Sequence, residues 1–207
     1  MGKEEAVTSM KTDRFPQRGF SLLELLMVLA VVAILGAIGM MSLSSGSQAI
    51  DVTTGADLFR DALAEGRAEA MAQNSTVEVR LYARTPATGG GAIYDAMQLH
   101  WIRDGSTPPV AHVVTLPSGT ALDTTAAHST LIASNPQTAT PDANDRLLNA
   151  QTKVFHFLAN GSTDLSTNSQ WFMTVRAANA SDPAHFPANW ACVSISALIG
   201  TVQVYRP

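Results

Sequence analysis

Only one cysteine, Cys192, occurs in the 207 residues of this chain. A single thiol closes no internal disulfide and builds no cysteine-rich metal site. It stands in an apolar, strand-like run, where a buried and inert sulfur is expected. Charge is also scarce: 14% of residues are Asp, Glu, Lys or Arg, and none lies between Glu24 and Asp51. The five histidines (His100, His112, His128, His156, His185) are scattered, with no i, i+4 pair to grip a metal from one helix face. On strands, such rings are expected to face solvent or to hydrogen-bond. No G-x-S-x-G elbow, P-loop or dinucleotide-binding glycine pattern is present. The sequence thus offers no catalytic residue, no cofactor site and no metal site, and it reads as a non-enzyme.

What is present is concentrated near the N-terminus. The stretch Arg18-Gly19-Phe20-Ser21-Leu22-Leu23-Glu24 leads straight into an uncharged run, residues 25–43. A lone carboxylate in a membrane span costs several kcal/mol unless a partner neutralises it. Cleavage after Gly19 would create that partner, because Phe20 would then carry a free ammonium. Such an amine, with a pKa of about 7.7–8.0, is largely protonated at neutral pH. It would stand one helical turn before Glu24. Ahead of the cut, residues 1–19 hold four basic side chains (Lys3, Lys11, Arg14, Arg18) against three acidic ones. That basic excess predicts a cytoplasmic leader and an exported C-terminal part. The apolar run exceeds the h-region of a cleaved secretory signal, so it is expected to stay as an anchor.

These residues resemble the N-terminus of type IV pilins and type II secretion pseudopilins. The resemblance implies a prepilin peptidase that cuts between Gly19 and Phe20 and then methylates the Phe20 amine. It also implies that Glu24 serves assembly, and that the chain contacts other pilins through its N-terminal helix in a filament. Pairing Glu24 with a neighbour's amine would set axial register, since only certain offsets neutralise both charges.

Further along, Val52, Ala56, Phe59, Leu63, Gly66 and Ala70 recur at steps of four and three. This is the apolar stripe of an amphipathic helix docking on the chain's own sheet. A helix is therefore predicted over 20–73, softened by Gly and Ser at 42–47, where a bend or local melting is expected. From Asn74 the period changes to two. Val77, Val79 and Leu81 alternate with Glu78, Arg80 and Tyr82, which predicts a half-buried strand. Further strands are predicted at 96–102, 110–116, 154–158, 171–176, 192–195 and 202–205. Turn signals stand at Asp104-Gly105, Asn160-Gly161 and Gly200, and a long surface loop is expected over 133–150. The expected fold is α+β and pilin-like: a long N-terminal helix, transmembrane in its first half, packed on an antiparallel β-sheet domain. Its segments would be a cleaved leader (1–19), a transmembrane helix (20–43), an amphipathic spine (44–73) and a periplasmic domain (74–207).

A second, weaker resemblance links Arg67-Ala68-Glu69-Ala70, the Val-x-Val strand after Asn74, and the closing Gly200-Thr201-Val202 to the minor pseudopilin group containing GspH and FimT. Arg80 with Gln98-Leu99 is also similar to the cassette protein D family of the Verru_Chthon type. Both imply a structural subunit anchored once in the inner membrane lipid. A pilus adhesin or DNA-uptake subunit is the alternative reading. The leader is one unit positive, which leaves the mature part at −5 from a formal −4. That acidic balance suits no nucleic acid without a basic patch, and none is evident. Asp142-Ala143-Asn144-Asp145 offers oxygen ligands but lacks the glycine and closing Glu of an EF-hand, so it reads as a polar turn.

Overall fold

The structure, a computed structural model, describes residues 21–85, 91–102, 107–110, 112–138, 147, 151–179 and 185–207, with the backbone alone described at 37–45. The leader, Gly19, Phe20, the Asp104-Gly105 turn and the 142–145 turn lie outside the described residues. The chain divides into two units, Met1–Leu43 and Ser44–Pro207.

Helix α1 is assigned over Leu22–Ala72 and contributes to both units. Its helical backbone continues through 42–47, where local melting was the expectation. The cost of about 1 kcal/mol for one interior glycine does not break a helix with turns on either side. In the first unit, every described side chain from Ser21 to Gly36 is exposed. Among the described residues no helix is long and apolar enough to cross a membrane.

In the second unit the predicted stripe is buried as a set: Val52, Ala56, Phe59, Leu63 and Ala70, joined by Ala62. At Gly66 the helix comes close to the first sheet. A Cβ there would sit 3.0 Å from the Leu99 side chain. The opposite flank carries Asp57, Arg60 and Asp61, linked by short ion pairs.

Eight strands follow: β1 (Val77–Arg84), β2 (Ile93–Trp101), β3 (Val114–Thr115), β4 (Thr120–Leu122), β5 (Gln151–Phe157), β6 (Trp171–Ala177), β7 (Trp190–Ile195) and β8 (Val202–Tyr205). A single helical turn, α2 (Thr130–Ala133), lies between β4 and β5. The strands form two four-stranded antiparallel sheets, ordered β3-β2-β1-β5 and β4-β6-β7-β8. Both contribute to one apolar core with the helix, with Leu81, Met97, Phe155 and Phe157 from the first and Met173, Val175 and Val193 from the second.

Strand β1 departs from its predicted half-burial: Val77 through Ala83 are buried on both faces. The alternate residues Glu78, Arg80 and Tyr82 are buried as a paired set, with Arg80 donating to Glu78. Tyr82 Oη lies 3.2 Å from His100 Nε2, and Arg80 donates to Thr107 Oγ1 at 3.0 Å.

The end of the chain is fastened back to the helix. Arg67 Nε donates to the carbonyls of Gly161 and Ile199, each at 3.0 Å. Between those turns Gly200 takes φ +64°, and a Cβ on it would fall 2.1 Å from the Gly161 oxygen. Only glycine fits there without displacing the backbone. Arg206 adds an exposed ion pair to Asp57 at 2.7 Å.

Candidate functional site

Helix α1 starts with Ser21, whose Oγ accepts the Glu24 backbone N–H at 3.1 Å. The Leu25 N–H donates to the Ser21 carbonyl at 3.1 Å, the first full helical bond. Ser21 is thus the N-cap, and Ser-Leu-Leu-Glu has the spacing of a capping box. The Ser21-x-x-Glu24 signal was legible in the sequence, but its apolar surroundings drew attention to Glu24 as a charge alone. The cap holds Glu24 in the first turn, where the helix dipole favours a negative group. The large apolar side chains from Leu22 to Leu35 are then exposed. Gly19 and Phe20, the other two expected site residues, lie outside the described residues.

The polar groups of the β domain are paired among themselves. His156 lies between Asp164 Oδ2 at 2.6 Å and Glu78 Oε2 at 3.2 Å. The bonds to Asp164 and Glu78 lift its pKa from 6.5 to about 9, so it stays an imidazolium at neutral pH. Burial alone would raise the Glu78 carboxyl, but hydrogen bonds from His156 and Arg80 outweigh that and hold it below the usual range. Asp164 is depressed in the same way, its burial offset by His156.

A second cluster joins Asp123 to Arg176 Nε at 3.0 Å and His128 Nδ1 at 3.3 Å, all three buried. Burial pushes the Asp123 carboxyl up, and the Thr125 amide, His128 and Arg176 bring it below its ordinary value. Ser129, next to that histidine, accepts the Thr174 N–H at 2.9 Å, so it belongs to the strand's bonding and not to a nucleophile relay. The His128 ring packs on Phe186 at 4.1 Å. Among the described residues no three His, Cys, Asp or Glu side chains converge to hold a metal. Cys192 is half-buried, and burial raises its thiol pKa, which keeps it protonated and sluggish. The Asn160-Gly161 signal is a turn, with Asn160 Oδ1 accepting the Ser162 N–H at 3.0 Å.

Residues 14–40 match the prokaryotic N-terminal methylation motif. No curated protein sequence matches the chain. The minor pseudopilin EpsH of the Vibrio cholerae type 2 secretion system aligns with a TM-score of 0.45 and 13% identity, over 76% of this chain and 98% of that one. The type IV minor pilin FimU of Pseudomonas aeruginosa aligns with a TM-score of 0.45 and 13% identity, over 75% and 92%. The methylation motif thus spans the capped start of a helix whose later turns pack on two antiparallel sheets.

Proposed function

We propose that the chain is a minor pilin or pseudopilin, a structural subunit of a type II secretion pseudopilus or a type IV pilus, and not an enzyme. Prepilin peptidase cuts between Gly19 and Phe20 and methylates the new Phe20 amine. Residues 20–43 then anchor the subunit once in inner membrane lipid, with the β domain in the periplasm. On assembly the apolar helix leaves lipid for a bundle of neighbouring pilin helices. There Glu24 meets a methylated ammonium, its own or the next subunit's. A mismatch would bury an uncompensated carboxylate, which is far costlier than the pair is favourable, so the pair works as a register device. Contacts of this head-to-tail kind build open helical polymers.

The observation that carries this reading is the methylation motif over residues 14–40, with Glu24 held in the first turn of an uncovered apolar helix. Its test is Gly19→Leu in the full-length chain. The variant is expected to accumulate as uncleaved, membrane-bound precursor on immunoblots. Cleavage at the wild-type rate would refute the assignment of the scissile bond.

A further inference from the structure

The two sheets have four edges, and three of them are blunted in ways that proteins use against stray pairing. Strand β3 is two residues long and β4 is three. The outer side of β5 is occupied, since the Val154 N–H donates to the Gln137 carbonyl at 3.2 Å and Asn135 Nδ2 donates to the Val154 carbonyl at 2.7 Å. Strand β8 has no such guard. Its sequence Val-Gln-Val-Tyr contains no proline and no charge, and β8 ends its sheet.

The register shows which groups are free. The Ser196 N–H donates to the Thr201 carbonyl at 2.9 Å. Hydrogen-bonded pairs alternate along an antiparallel ladder, so Ser194–Gln203 and Cys192–Tyr205 bond across β7 and β8. Val202 and Val204 therefore turn their N–H and C=O groups away from β7. Among the described residues no backbone bond from another element reaches them.

Beside this edge lies a groove of about 580 Å³, formed on the outer face of β6–β8 by Phe172, Cys192, Ser194, Leu198 and Tyr205, with no charged residue in its lining. Leu198 and Tyr205 are 72% and 53% exposed. An open ladder with an uncharged, aromatic-walled groove alongside is the arrangement that takes an extended peptide by strand addition. We propose that β8 accepts an extended, uncharged strand from an unlike subunit of the same filament, with one apolar side chain of that strand seated against Tyr205.

A second copy of this chain is excluded by symmetry. Among the described residues the one open edge it could offer is its own β8, and a β8–β8 pair is two-fold and closes on itself. The proposal rests on the filament-subunit reading and adds the kind of neighbour and where it binds.

The test compares amide hydrogen exchange of the full chain in detergent with that of the same chain in filaments isolated from its own cells. Exchange at Val202 and Val204 should slow at least about tenfold in filaments, while Gln203 and Tyr205, already bonded to β7, change little. Val204→Pro deletes an outward N–H at an edge position where proline is tolerated. Its recovery in filaments should fall at least about fivefold with processing intact. Should that variant not fold, the wild-type exchange comparison decides alone. Filament-borne chain with unprotected Val202 and Val204 overturns strand addition and leaves the filament reading standing. Protection that appears in the purified chain alone, together with a dimer, overturns the unlike neighbour. Wild-type chain absent from filaments overturns both readings.

Discussion

The two ends of helix α1 are built from similar helix-forming chemistry and live in opposite circumstances. From Leu22 to Leu35 every large apolar side chain is exposed, and Glu24 is the lone charge. From Val52 to Ala70 the apolar residues narrow to one stripe, each buried, with charges on the far flank. The second stretch satisfies itself against the chain's own sheets. The first leaves its described side chains exposed, a surface suited to lipid or to neighbouring helices. That difference separates a part that folds from a part that assembles.

The contrast can be broken most forcefully at Phe59. It is fully buried, so Phe59→Ala should cost about 3–5 kcal/mol in denaturant unfolding of the full chain in detergent. Leu29→Ala, at a site 60% exposed, should leave the same midpoint within about 0.5 kcal/mol. Equal losses from the two variants would mean that the first stretch packs within the subunit after all.

A smaller effect tests whether the β domain is sealed by its own charges. His156 has a folded pKa of about 9 against an ordinary 6.5, so the folded state holds that proton more tightly. Its contribution is complete below pH 6.5 and drains away as pH rises to 9 and beyond. Urea titrations across that window should lose about 1–2 kcal/mol, because water screening trims the full effect at a partly open site. His156→Gln should flatten the profile there. Acidification acts in the other direction, protonating Glu78 and Asp164, which are stabilising only as carboxylates. A wild-type profile that is flat from pH 6.5 to 9 would remove His156 from the account.

The smallest change in stability discriminates between the two uses of Glu24. A capping box accepts Gln as well as Glu, so Glu24→Gln keeps the helix start and removes the charge. Helicity by circular dichroism should be unchanged. Incorporation into filaments, counted by immunogold labelling, should drop as far as in Glu24→Ala. Normal incorporation of the Gln variant would reduce Glu24 to a cap.

Legibility in the sequence followed periodicity. The stripe from Val52 to Ala70 and the Val77-x-Val79-x-Leu81 alternation each name a core face directly, and β8 falls on its predicted residues 202–205. Strand β4 was missed because Thr120–Leu122 is too short to show any period, and α2 is one turn. The division into two sheets was hidden for a related reason: strand order depends on long-range pairing such as β1 with β5, which no local pattern records. The burial of Glu78 and Arg80 was also invisible, since alternating charge reads as a wet face until His156 arrives from 78 residues away to cover it. At the helix start the charge was read and the cap was not. Glu24 was prominent as a lone acid, while Ser21 looked like one more small residue.

On the proposed function, proteolysis creates the cation that Glu24 requires. The most direct measurement is the intact mass, with N-terminal fragmentation, of the chain purified from its own membranes. The account predicts a product that begins at Phe20 and carries one methyl group on its amine. A product that retains residues 1–19 would contradict it.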